Sequence, residues 1–189
     1  MQTRFSQFPV NPKTTALFDE PEGGSHYVLR NPHVDDGGSI WKIAVDSQVL
    51  DANSSYAYLM WCRDFAATSI VAEIDGEIAG FVIGYRRPHD PDVLFVWQVA
   101  VDPAHRGRGL GVAMLDRLLN ICAADNMSTL ETTISHDNPA SIAMFGSLAK
   151  RRDSVLVHQP LFDSNDFPDQ HEAERLYRIT QPRTLEEIR

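Results

Sequence analysis

Six residues near the middle of the chain, Arg106-Gly107-Arg108-Gly109-Leu110-Gly111, have the composition of an anion cradle. Glycines let the main chain approach a ligand closely, and a helix starting there presents several unpaired N–H groups. Such a turn holds phosphate through those amides and the positive end of the helix dipole, and Arg106 and Arg108 add charge. Spacing narrows the choice. A Walker loop needs GxxxxGK[ST], which is absent. The dinucleotide fingerprint GxGxxG fails because Gly107-x-Gly109 leads to Val112 and Gly109-x-Gly111 to Met114. HEAER at 171–175 lacks the second His of a zinc HExxH, since Arg175 stands there. Cys62 and Cys122 show no zinc-like spacing, so no metal is expected.

The cradle needs elements to hold it. Val93–Val101 is an apolar, β-branched run, as expected of a strand buried on both faces. After Asp102-Pro103 and the glycines, Leu110, Met114, Leu118 and Ile121 form one helical stripe. Upstream, Tyr27–Arg30 reads as a short strand, and Asp36 or Ser39 caps a helix carrying Ile40, Trp41, Ile43 and Ala44. VLDANSSY (49–56) breaks that helix, and a second carries Tyr56, Leu59, Met60 and Phe65 at helical spacing. Ser69–Ile74 and Ile78–Arg86 form a hairpin about Asp75-Gly76-Glu77, followed by a polar loop with Pro88 and Pro91. Downstream come a strand at Thr129–Ile134, a helix opened by Asn138-Pro139, and strands at Ser154–His158 and Arg175–Thr180 around the acidic loop 160–174. This order predicts a mixed α/β sheet.

The chain has 189 residues, 43% hydrophobic and 23% charged, enough apolar side chains for one packed domain. Residues 1–25 read as a tail, 26–181 as the domain and 182–189 as a C-terminal tail. With 17 Lys+Arg against 26 Asp+Glu the formal charge is −9, which argues against nucleic acid or an anionic membrane as partner and suits a cationic small molecule. No stretch approaches a membrane span, and the first residues lack the apolar run of a signal peptide. A cytoplasmic protein with reduced cysteines is expected.

Arg106, Gly109 and Gly111, set between a strand and a helix, match the pattern Arg/Gln-x-x-Gly-x-Gly/Ala. It resembles the pyrophosphate-binding motif of the GCN5-related N-acetyltransferase superfamily, which grips coenzyme A. Longer stretches, VLDANSSYAYLMWCRDF (49–65), VAEIDGEIAGFVIGYRRPHDPDVLFVWQVAVDPAHRGRGLG (71–111) and HEAERLYRI (171–179), resemble the diaminobutyrate acetyltransferases of ectoine biosynthesis. The resemblance implies a sheet of about seven strands, splayed after the fourth and flanked by about four helices. It also implies acetyl transfer from acetyl-CoA to the 4-amino group of L-2,4-diaminobutyrate, an osmotic-stress context and a homodimer. An acetyltransferase for another small amine, a polyamine or aminoglycoside, and a non-catalytic CoA-binding module are the competing readings.

Residue by residue, the resemblance implies that pantetheine runs along Gln98, Val99, Ala100 and Val101, with the Val99 N–H polarising the thioester carbonyl. Pyrophosphate lies on the amides of Arg106, Gly107, Arg108, Gly109, Leu110 and Gly111. Asn138 reads equally as a cofactor contact and as a helix cap. Many relatives protonate the leaving thiolate with a Tyr where this chain has Phe145, which has no proton to give. Asp51 is the first candidate partner for a substrate ammonium, with a helix cap as the lesser alternative. Asn53, Ser54, Ser55 and Tyr56 are donors for the substrate carboxylate. Trp97 either faces an ammonium or belongs to the core. Glu174 holds the second ammonium and His171 relays a proton, or both make surface ion pairs. Glu131 is a further, weaker base candidate.

Overall fold

The computed structural model describes residues 27–51, 53–169 and 171–180; the expected tails at 1–25 and 182–189 lie outside them. Eleven regular elements follow one another: β1 (Val28–Arg30), α1 (Gly37–Ser47), α2 (Ser55–Asp64), β2 (Ile70–Ile74), β3 (Glu77–Arg87), β4 (Asp90–Val101), α3 (Leu110–Ala123), β5 (Thr129–Ser135), α4 (Pro139–Arg151), β6 (Val155–Phe162) and β7 (Glu174–Thr180). The strands form one sheet in the order β1-β2-β3-β4-β5-β7-β6, antiparallel except for the parallel β4–β5 pair. No described helix is long and apolar enough to cross a membrane.

The sheet is covered on both faces, which is why its central strands are apolar throughout rather than alternating. Ala72, Val82, Leu94 and Val96 pack under Met114, Leu115 and Leu118 of α3 and Leu148 of α4. Val71, Phe81 and Ile83 face Ile40 and Ala44 of α1 with Tyr58 and Cys62 of α2. Both cysteines are free and buried. Burial pushes the Cys62 thiol up to about 11 and Cys122 to about 12, which makes both inert as nucleophiles near neutrality.

Several local expectations change. The β2–β3 turn is two residues, Asp75 (φ 52°) and Gly76 (φ 83°), both left-handed as a twisted hairpin requires. The expected polar loop at Pro88–Pro91 contracts to Pro88-His89, and β4 already begins at Asp90. Likewise β6 runs on to Phe162, shortening the expected 160–174 loop. α1 starts after Asp36, but the Asp36 carboxylate does not cap it. Instead it accepts from both terminal nitrogens of Arg30 (2.7 and 2.9 Å) and from the His33 N–H (2.7 Å). α2 turns Tyr58 and Cys62 inward and leaves Tyr56 (67%), Leu59 and Phe65 exposed. A ten-residue helix with aromatics all round has no single stripe, and the Tyr58 hydroxyl has a buried partner that Tyr56 lacks.

Glu131 is the clearest reversal among the base candidates. Its side chain is fully buried on β5, where Arg87 Nη1 donates to Oε2 (2.5 Å) and Arg178 Nε to Oε1 (2.7 Å). A carboxylate committed to two guanidiniums is a tie between strands, not a base. Glu131→Gln is expected to destabilise the fold by about 2–3 kcal/mol, below the ~3–5 kcal/mol of a fully enclosed pair. Both arginines are 41% exposed and can turn toward water. Urea unfolding of the two proteins checks the figure.

Candidate active site

The site begins where β4 and β5 part. Their parallel register covers only Val93↔Thr129 to Val96↔Thr132, after which β5 continues its pairing with β7 alone. At the same point Ile83 faces Gln98 and Gly84 faces Val96, so Trp97 is an extra residue, a bulge. Beyond it, the Asp102 N–H donates to Ala79 O (2.8 Å). Alternation along an antiparallel ladder then turns the Val99 and Val101 amide groups away from β3, into the gap that β5 has vacated. The gap widens into a cleft of about 590 Å³.

At one end of β4 lies the glycine turn. Gly107 (φ 77°) and Gly109 (φ 74°) are both left-handed, a conformation that costs other residues roughly 1–2 kcal/mol. Gly109 forms the N-cap of α3 with no side chain capping it, so the amides of the first turn stay open to an anion. Arg106 folds back so that its Nε donates to Val101 O (3.1 Å), while Arg108 is exposed. Uncapped amides beside two cations fit a pyrophosphate.

The cleft itself is acidic. Asp51, Asn53, Trp97, Gln98, Val99, Asn138, His171 and Glu174 all line the cleft, with Thr133, Asp137 and Glu172 beside them. Buried Gln98 organises the wall: its Nε2 donates to Asp51 O (2.9 Å) and the Tyr58 hydroxyl donates to its Oε1 (3.0 Å). Gln98 thus uses its side chain to hold the α1–α2 loop. The Asp51 carboxylate, itself exposed, meets His171 Nε2 at 3.1 Å across the cleft. His171 Nδ1 lies 2.7 Å from Glu172 O, so both ring nitrogens face acceptors. That arrangement favours the imidazolium, and the Glu172 carbonyl and then Asp51 raise His171 above its ordinary value. Burial pushes the Glu174 carboxyl up; Asp51 and Asp137 reinforce the shift, and His171 and a hydrogen bond to Thr133 oppose it.

Some expected residues fall elsewhere. Ser54 precedes α2 without a side-chain cap bond, and Ser55 and Tyr56 stand exposed on its first turn, outside the cleft lining. Asn138 does cap α4, its Oδ1 accepting from the Ser141 N–H at 3.0 Å, and it lines the cleft as well. Phe145 is buried at the cleft wall. Trp97 is not a core residue: it is 37% exposed and stacks on Trp61. Thr133, Asp137 and Glu172 went unnoticed in the sequence, although Asp137 and Glu172 directly neighbour Asn138 and His171.

The Acetyltransferase (GNAT) family model matches residues 38–149 of this chain. The chain belongs to the GNAT acetyltransferase family. Among its GNAT relatives, it is 60% identical over 152 residues to the L-2,4-diaminobutyric acid acetyltransferase of Nocardia farcinica, covering 80% of this chain and 79% of that one. The enzyme of the same name from Streptomyces anulatus is 58% identical, covering 78% and 86%. A solved structure, the diaminobutyrate acetyltransferase of Paenibacillus lautus in complex with L-2,4-diaminobutyric acid and coenzyme A, superposes with a TM-score of 0.78. It is 37% identical, covering 83% of this chain and 96% of that one. The seven-stranded mixed sheet with four helices is thus a GNAT fold.

Proposed function

We propose that this chain transfers the acetyl group of acetyl-CoA to the 4-amino group of L-2,4-diaminobutyrate, giving the N4-acetyl product that feeds ectoine formation. The observation that carries the reading is the pairing, along one strand, of an uncapped cationic turn with an acid-lined cleft, in a chain this similar to diaminobutyrate acetyltransferases. Diaminobutyrate carries two ammonium groups and one carboxylate, which suits a cleft bearing Asp51, Asp137, Glu172 and Glu174.

The amides of residues 106–111 hold the pyrophosphate, and the Val99 N–H and carbonyl with the Val101 N–H, turned away from β3, pair with pantetheine as a missing strand would. The Val99 N–H donates to the thioester oxygen and stabilises its negative charge as the amine adds. Asp51 and Glu174 hold the two ammoniums, and Asn53 and Asn138 offer neutral donors. An alkylammonium has a pKa of about 10.4, so the 4-nitrogen must shed a proton before attack. Glu174, half-buried and shifted toward neutrality, takes that proton, and His171 passes it to water. A C–N bond forms, the C–S bond breaks, the thiolate leaves without an acid at Phe145 (an ordinary thiol has a pKa of about 8.5), and the second nitrogen proton passes to that thiolate or to water.

His171 gives the pH prediction its sign. Raised above the ordinary 6.5, it stays protonated further up the scale. Its bridge to Asp51 is therefore intact below that value and lost as pH rises through the raised one. The same deprotonation frees the ring to accept a proton, so kcat/KM is expected to climb through this pH. His171→Gln is expected to remove the alkaline-going limb in a pH–rate profile.

Residues 26–181 make up the catalytic unit in this reading; every described strand and helix falls within that span. Two copies pair as a dimer in the cytoplasm. In support, β6 is an edge strand without Lys, Arg, Asp or Glu, exposing Val155, Val157, Leu161 and Phe162. Sedimentation showing only monomer at working concentration removes the dimer. The activity is tested by CoA release from acetyl-CoA with diaminobutyrate, ornithine, lysine and spermidine side by side, with NMR of the product. A preference for diaminobutyrate acetylated on N4 supports the reading, and turnover with another amine alone overturns the substrate.

A further inference from the structure

Trp97 lines the cleft from a place where the sheet does not hold it. It has no register partner on β3, being the bulge residue, and the last β4–β5 pair is one residue earlier. A side chain at such a point takes its orientation from packing rather than from the ladder. That packing comes from α2. The Trp61 indole stacks on Trp97 with ring centroids 4.9 Å apart and planes at 29°. Trp61 is itself backed by Phe65 at 4.4 Å and Tyr85 at 6.2 Å, and Tyr85 by Phe95 at 5.2 Å. Trp61 does not line the cleft.

We infer that Trp61 is a positioning residue for the amine substrate, acting through Trp97. It covers one face of the Trp97 ring and leaves the rest of the indole to form a fixed wall opposite the carboxylates of the cleft. A cation within about 6 Å of an indole face is attracted by its quadrupole, and the attraction depends on where the ring stands. A wall held still also sets how long a diamine the cleft accepts. This inference rests on the diaminobutyrate reading above.

Trp61→Ala is expected to raise the KM for diaminobutyrate about three- to tenfold, the scale of one aromatic pair, and to narrow the preference for diaminobutyrate over ornithine. The KM for acetyl-CoA and kcat are expected to stay within about twofold. Trp61→Phe, which keeps a ring on Trp97, is expected to restore most of the affinity. In a Trp97→Ala background, Trp61→Ala is expected to add nothing, because the route it acts through is gone. The inference is overturned by any of three results: the same penalty in both backgrounds, equal changes in both KM values, or a Trp61→Phe enzyme no better than Trp61→Ala. A wild-type chain that leaves diaminobutyrate untouched while acetylating another amine overturns the substrate reading instead. Thermal melts of each variant separate a loosened fold from a displaced wall.

Discussion

Glu174→Gln is expected to raise the KM for diaminobutyrate by roughly ten- to a hundredfold and to lower kcat, since the base is lost, while the KM for acetyl-CoA stays unchanged. A hydrogen bond to a charged group contributes about 1.5–3 kcal/mol, and each 1.4 kcal/mol is a factor of ten. Gln keeps the shape and one acceptor but loses the charge that an ammonium needs. The pH dependence adds a second readout. Burial holds the Glu174 carboxyl above its ordinary 4.5, so in the wild type it protonates on the way down before an exposed carboxylate would. Affinity for the diammonium is therefore present above the raised value and falls as pH drops through it. In the Gln variant that acid limb should flatten. Steady-state kinetics across the acid range with each substrate varied decide the matter, and an unchanged KM for diaminobutyrate removes Glu174 from the acceptor site.

The second large effect is expected at the glycine turn that follows β4. Gly109→Val should lower kcat/KM for acetyl-CoA by about a hundredfold or more, with titration calorimetry showing weakened CoA binding. Gly109 sits at φ 74°, where a β-branched side chain costs roughly 1–2 kcal/mol in backbone strain alone. A Cβ there meets no protein atom within 4 Å, so the added bulk projects into the space beside the α3 amides that a phosphate would use. The loss should appear in cofactor affinity far more than in thermal stability. Gly146→Ala in α4 is the control, since its Cβ is equally unobstructed and a helical Ala is more favourable than Gly. Equal kinetics for the two variants would remove the glycine turn from cofactor binding.

The parts of this molecule that rest on neighbours in sequence were legible without a structure. Asp75-Gly76 announces a left-handed hairpin turn, the apolar run through Val93–Val101 announces a covered strand, and Asn138-Pro139 announces a helix start. The spacing of Arg106, Gly109 and Gly111 announces a left-handed glycine turn with uncapped amides, because backbone conformation is a local property. Phe145 could be excluded as an acid from its chemistry alone.

Facing and partnership were decided only by tertiary contact. Nothing within α2 distinguishes exposed Tyr56 from buried Tyr58; the difference is Gln98, forty residues away, which accepts the Tyr58 hydroxyl. Glu131 reads as one more strand carboxylate until Arg87 and Arg178 arrive from strands on either side. Trp97 sits in an apolar run and reads equally as core, yet a one-residue register shift against β3 puts its ring on the cleft, against Trp61. Asp51 and His171 are separated by 120 residues and meet at 3.1 Å. The chain alone therefore determined most of the elements and the glycine turn ahead of α3, and it offered the chemical types from which a site could be built. Which side chains share that site was settled by strand register and helix packing, because a side chain's partner and exposure depend on residues remote in sequence.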